Sequence, residues 1–272
     1  MGAIAAYNLE IVKTLLEYGA DPNQTTWDGL SPMMLAAQRV QDEALFEVLA
    51  AGGADIDSRS NQGVTALMVA ATSGNVAALN SLISMSADLE IKDYDGFTPL
   101  FHVVQSSEEN NDVIGVIDLL INGKCNVNAK DISGATPLMH AALGGKHRMA
   151  GRLIDAGASM DATDSVGWTA LHFAARSEGG VNVAELLIEK MLLDGKSVDV
   201  PDNGETTPLM VAAAYNNAAA VRLLLEAGAS FSRQDKTGRN AYEYASMKNA
   251  SRSRDAIKEA MEESQRVPVT RR

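Results

Sequence analysis

Apolar residues fall in short runs along this chain, and the runs share one shape. In Asp131 to Ala142, read Asp-Ile-Ser-Gly-Ala-Thr-Pro-Leu-Met-His-Ala-Ala, a polar turn gives way to Leu138, Ala141 and Ala142 at helical spacing. Gly134 suits the positive φ of a tight turn. Thr136 before Pro137 reads as a helix start, because the hydroxyl can accept an orphan amide and proline at the first helical position leaves none unmet. The small alanines predict close packing against another helix. A second amphipathic segment follows each start with a paired apolar step, such as Leu15-Leu16, Leu153-Ile154 or Leu224-Leu225. It closes on Gly19-Ala20-Asp21, Gly157-Ala158 or Gly228-Ala229, where glycine supplies the left-handed residue that ends a helix.

Aligned on the place of Thr136, the chain gives Ser31, Thr65, Thr98, Thr136, Thr169, Thr207 and Asn240, with spacings of 34, 33, 38, 33, 38 and 33 residues. The starts read Gly-Leu-Ser-Pro-Met-Met-Leu-Ala-Ala from Gly29, Gly-Val-Thr-Ala-Leu-Met-Val-Ala-Ala from Gly63 and Gly-Phe-Thr-Pro-Leu-Phe-His-Val-Val from Gly96. Gly-Trp-Thr-Ala-Leu-His-Phe-Ala-Ala follows from Gly167 and Thr-Thr-Pro-Leu-Met-Val-Ala-Ala from Thr206. One helix pair cannot bury its apolar face alone, so the repetition predicts a stack with a continuous core.

A 33-residue period with a Thr-Pro-Leu-His-like start, Ala-Ala, a Leu-Leu step and a Gly-Ala-Asp exit resembles the ankyrin repeat, and the resemblance covers roughly Asn8 to Glu263. It implies an all-α ankyrin-repeat solenoid of stacked helix-turn-helix units joined by β-turn loops. The expected division is a single domain, 1–263, with a partial unit at 1–26 and units near 27–60, 61–93, 94–131, 132–164, 165–202 and 203–235. A degenerate cap at 236–263 and a tail at 264–272 complete it.

Departures from the pattern carry their own expectations. The chain begins in mid-unit, as expected of a fragment of a longer chain or of a shortened cap. Two units run five residues over the period. In one, Ser106 to Asn111 lengthens the interhelical link and Lys124 adds a residue at the exit; in the other, Gly179-Gly180 loosens the link and Met191 to Lys196 extends the second helix or its exit. Glu205 replaces a turn glycine, which suggests a turn displaced onto Asn203-Gly204. The last second helix, about Arg254 to Glu263, is apolar on one face only, as a capping helix should be.

Charge narrows the partners. A net charge of −12 disfavours nucleic acid and favours a protein surface that is basic or of mixed charge. Cys125, the only cysteine, excludes an internal disulfide framework and suits a reducing compartment. No run of about 18 apolar residues predicts membrane insertion. A cytoplasmic or nuclear monomer without cofactor is the expectation.

Catalytic and metal motifs fail on inspection. Gly195-Lys196-Ser197 ends like a phosphate loop, but Lys190 stands where its first glycine belongs. Asp93-Tyr94-Asp95-Gly96 begins like a calcium loop, yet Thr98 and a helix start replace the later ligands, leaving two turn-forming aspartates. His102 and His140 hold equivalent places, and His172 holds the family's own histidine place; a bond to nearby turn backbone is expected there. Met34, Met68, Met139 and Met210 share that family place and predict core packing rather than a binding stripe. Cys125 reads as a replacement for the usual exit aspartate. No enzyme activity is expected.

Partners of the family commonly meet the turn tips and the inner helix face. The matching positions here are Trp27, Asp28 and Leu30, then Gln62, then Tyr94, Asp95 and Phe97, then Trp168. Just behind the Ala-Ala pairs come Arg39, Gln105, Arg176 and Tyr215. Aromatics and arginine are enriched at interfaces, so these are the candidate partner-binding residues, although a turn aromatic can equally lie on its neighbour's turn. Ile132, Ser133, Ala135 and Leu143 hold the same places between these, but are small or aliphatic. Asn126-Val127-Asn128-Ala129, with Leu120 eight residues upstream, resembles the loops that an asparagine hydroxylase modifies in the family. Asn128 is the candidate there, against a purely loop-stabilising role.

Overall fold

The structure is a computed structural model that describes residues 1–6, 8–39, 43–106 and 109–266; the side chains of residues 39, 265 and 266 lie outside that description. The chain divides into two compact units, Met1–Ile132 and Ser133–Arg272. The first holds α1 (Gly2–Ala5), α2 (Leu9–Glu17), α3 (Pro32–Arg39), α4 (Glu43–Ala51), α5 (Ala66–Ser73), α6 (Val76–Ser84), α7 (Pro99–Val104) and α8 (Asn111–Asn122). The second holds α9 (Pro137–Leu143), α10 (His147–Asp155), α11 (Ala170–Arg176), α12 (Val181–Leu193), α13 (Pro208–Ala214), α14 (Ala218–Glu226), α15 (Ala241–Met247) and α16 (Ser251–Arg266). No strand occurs among the described residues.

Each unit is a stack of helix pairs. In the first, α3 packs on α5 and α5 on α7, while α2, α4, α6 and α8 follow one another as a second layer. In the second, α9, α11, α13 and α15 form the inner succession and α10, α12, α14 and α16 the outer. The alanine pairs make this spacing possible: Ala70-Ala71, Ala141-Ala142 and Ala174-Ala175 are fully buried, with no side-chain bulk to hold neighbours apart.

The helix starts carry a reciprocal cap. Met68, Met139 and Met210 amides donate to Thr65, Thr136 and Thr207 hydroxyls at 3.4 Å, and each threonine amide faces the methionine sulfur at 3.3–3.4 Å. Sulfur thus stands where a capping box normally has glutamate or glutamine. The four methionines are buried, as their place predicts. Asparagines fasten the second helices: Asn75 Nδ2 donates to Ala37 O at 3.1 Å, and the buried Asn217 donates to Ala175 O and Ser177 O while capping α14 through Ala220 N.

Three local expectations are corrected. Lys124 is not inserted: it has φ +66° and takes the left-handed place that Gly157 takes after α10, with Cys125 N donating to Leu120 O as Ala158 N does to Leu153 O. Cys125 therefore replaces the buried exit alanine, not the aspartate. Gly179-Gly180 does not loosen its link; Gly180 is buried in a 3-10 turn, Glu178–Gly180. Four of the five extra residues of that pair go into α12, which has 13 residues against 9 in α10 and runs on to Leu193. Of the lengthened link in the first unit, residues 107–108 lie outside the described residues.

The turn at Glu205 is not displaced either. Glu205 itself has φ +65°, and its amide donates to Asp202 O at 3.0 Å as Gly167 N does to Asp164 O at 3.2 Å. A side chain in that conformation costs about 1 kcal/mol. Glu205→Gly is therefore expected to raise the stability of the second unit by about 1 kcal/mol, less the entropy glycine adds to the unfolded chain. A higher urea midpoint at unchanged slope is the check.

Candidate protein interface at the turn tips

The turns are built from the backbone outward. Their first residue accepts two amides: Asp93 Oδ1 from Asp95 and Phe97, Asp164 Oδ1 from Val166 and Trp168, Asp202 Oδ1 from Gly204 and Thr206. This fixes each turn as an Asx turn. The Asp93 carboxylate is thereby committed to the turn, consistent with the turn-forming role read from its sequence. Successive turns are then tied to each other. Within the first unit Asn61 N donates to Asp28 O, Tyr94 N to Gln62 O and Ile132 N to Asp95 O, at 3.2–3.3 Å. Within the second, Ser165 N donates to Ser133 O, Asn203 N to Val166 O and Lys236 N to Gly204 O, at 2.9–3.1 Å. The tips thus sit on a bonded backbone ladder that fixes their order.

On this ladder the candidates separate by place. Two residues before the turn glycine, Trp27 is 93% exposed and Tyr94 69%. Arg59 lies over the Tyr94 ring at 5.6 Å and donates to Lys92 O, so one face of the ring is held while most of the residue remains in water. One residue after the glycine, side chains turn inward. Leu30 is half-buried, Phe97 stacks on Phe101 at 5.2 Å, and Trp168 stacks on His172 at 5.9 Å while its Nε1 donates to Asp202 Oδ2 at 3.0 Å. Asp28 accepts from the Thr26 hydroxyl. Gln62, Asp95 and Gln105 are exposed. Arg176 lies over Tyr215 at 5.1 Å, both exposed, which makes a separate surface pair in the second unit. The Arg39 side chain lies outside the description.

Ile132, passed over as aliphatic, is 76% exposed at the same register place as Trp27 and Tyr94. Its signal was available as distance from the turn glycine rather than as residue type. Asn128 is exposed and its amide donates to Asn126 Oδ1.

The histidines serve the scaffold. His172 is fully buried; Nδ1 accepts from Thr169 N at 3.1 Å and Nε2 donates to Thr206 O at 3.1 Å, the turn-backbone bond expected at this place. Burial lowers its pKa, which favours the neutral ring. A lowered native pKa means stability that is complete above the unfolded value and is lost as pH falls below it. His172→Met, which installs the residue of four sister turns, is expected to reduce the drop in urea midpoint between about pH 7.5 and about pH 5.5. His102 bridges Asp93 Oδ2 at 2.9 Å and Thr72 Oγ1 at 3.3 Å. The Thr72 hydroxyl donates to Met68 O in its own helix at 2.9 Å, so its proton is committed there. Tyr244 plays the part of His102 in the last unit, donating to Asp235 Oδ2 at 2.7 Å. Burial works against the Asp235 charge, yet the Arg239 and Thr237 amides and the two hydroxyls hold its carboxyl well below the usual range. Burial, with Glu90 nearby, pushes the Cys125 thiol up to about 12, so it is no nucleophile at neutral pH. Among the described residues no group of three His, Cys, Asp or Glu is placed to hold a metal ion, and no helix is long and apolar enough to cross a membrane.

Comparison with known proteins agrees with this architecture. The family model described as ankyrin repeats (3 copies) matches residues 1–93, 33–114 and 103–202, and that described as ankyrin repeats (many copies) matches residues 191–245. The human SH3 and multiple ankyrin repeat domains protein 2 is 29% identical over 221 residues, which is 81% of this chain and 10% of that protein. The human neurogenic locus notch homolog protein 1 is 30% identical over 206 residues, 71% of this chain and 8% of that protein. The chain thus spans a tenth or less of the length of these relatives. With the helix pairs, the turn ladder and the matched residues in agreement, the chain belongs to the ankyrin-repeat family.

Proposed function

We propose that this chain is a non-catalytic interaction scaffold that binds a partner protein through its turn tips. Ankyrin repeats generally mediate contacts between proteins, and ankyrin-repeat models match most of this chain. The observation that carries the reading is Trp27, an indole 93% exposed on a backbone that the turn ladder holds in place. Large aromatics left in water on rigid supports supply contact area at low entropic cost when a partner covers them. The net charge of −12 favours a partner surface that is basic or of mixed charge.

A second reading, that the chain is a regulatory or substrate-recruiting arm of a longer enzyme or membrane protein, is favoured by the small share of each relative that it spans. Affinity capture of the full chain, with crosslinks located by mass spectrometry, tests the first. Crosslinks concentrated in the turns near residues 27, 62 and 94 are expected. Crosslinks confined to the outer helices α4, α6 and α10 contradict it.

A further inference from the structure

The net charge of this chain is not shared between its two units. Residues 1–132 carry 18 acidic and 6 basic side chains, whereas residues 133–272 carry 17 of each. The whole excess of −12 therefore belongs to the first unit. The exposed apolar tips divide the same way. Two residues before the turn glycine the first unit presents Trp27, Tyr94 and Ile132, all more than two-thirds exposed, with the polar Asn61 between the first two. The second unit presents Ser165, Asn203 and Lys236 at that place. Of the first unit's cations, Arg59 and Lys92 lie at the base of these turns, and both donate to a backbone carbonyl of the following turn. Asp28 and Asp95 stand directly beside the apolar tips.

We infer that the first unit is the docking half, and that its ligand is a basic peptide segment of a partner protein carrying apolar anchors that cover Trp27, Tyr94 and Ile132. The inference rests on the interaction role proposed above. An acidic unit speeds encounter with a cationic segment and disfavours nucleic acid, anionic lipid and a second copy of itself. Successive turns stand about 10 Å apart, the spacing of packed helices. A segment long enough to reach from Trp27 to Ile132 therefore meets an apolar tip at each end and Tyr94 between, with the exposed Asp95 placed for its basic residues.

The test uses the full chain as bait for a displayed library of random-sequence peptides, with urea-unfolded chain as the control. Enriched peptides are expected to be net basic with aromatic or aliphatic anchors, and to bind more weakly as salt rises. Their affinity should fall about tenfold or more in Trp27→Ser and in Tyr94→Ser, while Val166→Ser with Lys236→Ser in the second unit leaves it unchanged. These positions are exposed, so helix content and urea midpoint should match the parent chain in every variant. Enrichment of acidic or uncharged peptides, or binding insensitive to the Trp27 and Tyr94 substitutions, overturns the inference and leaves the interaction role standing. No enrichment over the unfolded control overturns both.

Discussion

Gly145→Ala is expected to destabilise the second unit by about 3 kcal/mol, among the largest single-methyl effects in the chain. Gly145 has φ +67° between α9 and α10, where an L side chain costs about 1 kcal/mol. The larger cost is contact: a Cβ there would overlap the Gly179 carbonyl of the next link. The link has little room to give, because the adjacent Gly180 packs so closely on α11 that a Cβ there would overlap Ala174 O. Forcing a backbone apart in a packed interior adds about 2 kcal/mol. Because each repeat is held by its neighbours, the loss should be felt by both α9–α10 and α11–α12. Urea unfolding followed by circular dichroism checks it, and hydrogen exchange should show faster opening in residues 137–193.

Trp168→Ala should cost about 3 kcal/mol, whereas Trp27→Ala should change stability by less than about 0.5 kcal/mol. Trp168 loses its stack on His172, its edge contact with Phe173 at 5.4 Å and its hydrogen bond to Asp202, which binds one turn to the next. Removal of the indole also leaves Asp202 Oδ2 without that donor, beside amides already held by Oδ1. Trp27 has nothing comparable to lose, since its ring stands in water. Its substitution should act on binding instead. The pair of variants therefore separates scaffold from interface with one residue type: a lower urea midpoint for one, weaker partner capture for the other.

That contrast also marks how far the sequence is legible. Period, helix starts and small-residue faces are local signals, and Thr136, Pro137, Ala141 and Ala142 announce them directly. The cap of Asn240 on Glu243 N, which closes the degenerate last unit, is local in the same way. What a side chain does on the turn is not local, because it depends on which way the turn aims it at the following repeat. Trp27 and Trp168 look alike as aromatics in variable turns, yet one precedes the glycine by two residues and the other follows it by one. The first direction leads to solvent and the second onto the adjacent helix start. Register thus carries information that composition does not, and it also raises Ile132 above its residue type. Lys124 and Glu205 show a second limit. Each holds a left-handed place without glycine, so the missing glycine suggested an insertion or a displaced turn where neighbouring packing had kept the backbone on course.

The most direct test of the interaction face is hydroxyl-radical footprinting of the full chain, free and with its captured partner bound. Trp27, Tyr94 and Ile132 are expected to lose most of their labelling on binding, while the surface pair Arg176–Tyr215 keeps its own. Equal labelling of Trp27 and Tyr94 in the free and bound chain would contradict a partner seated on the turn tips.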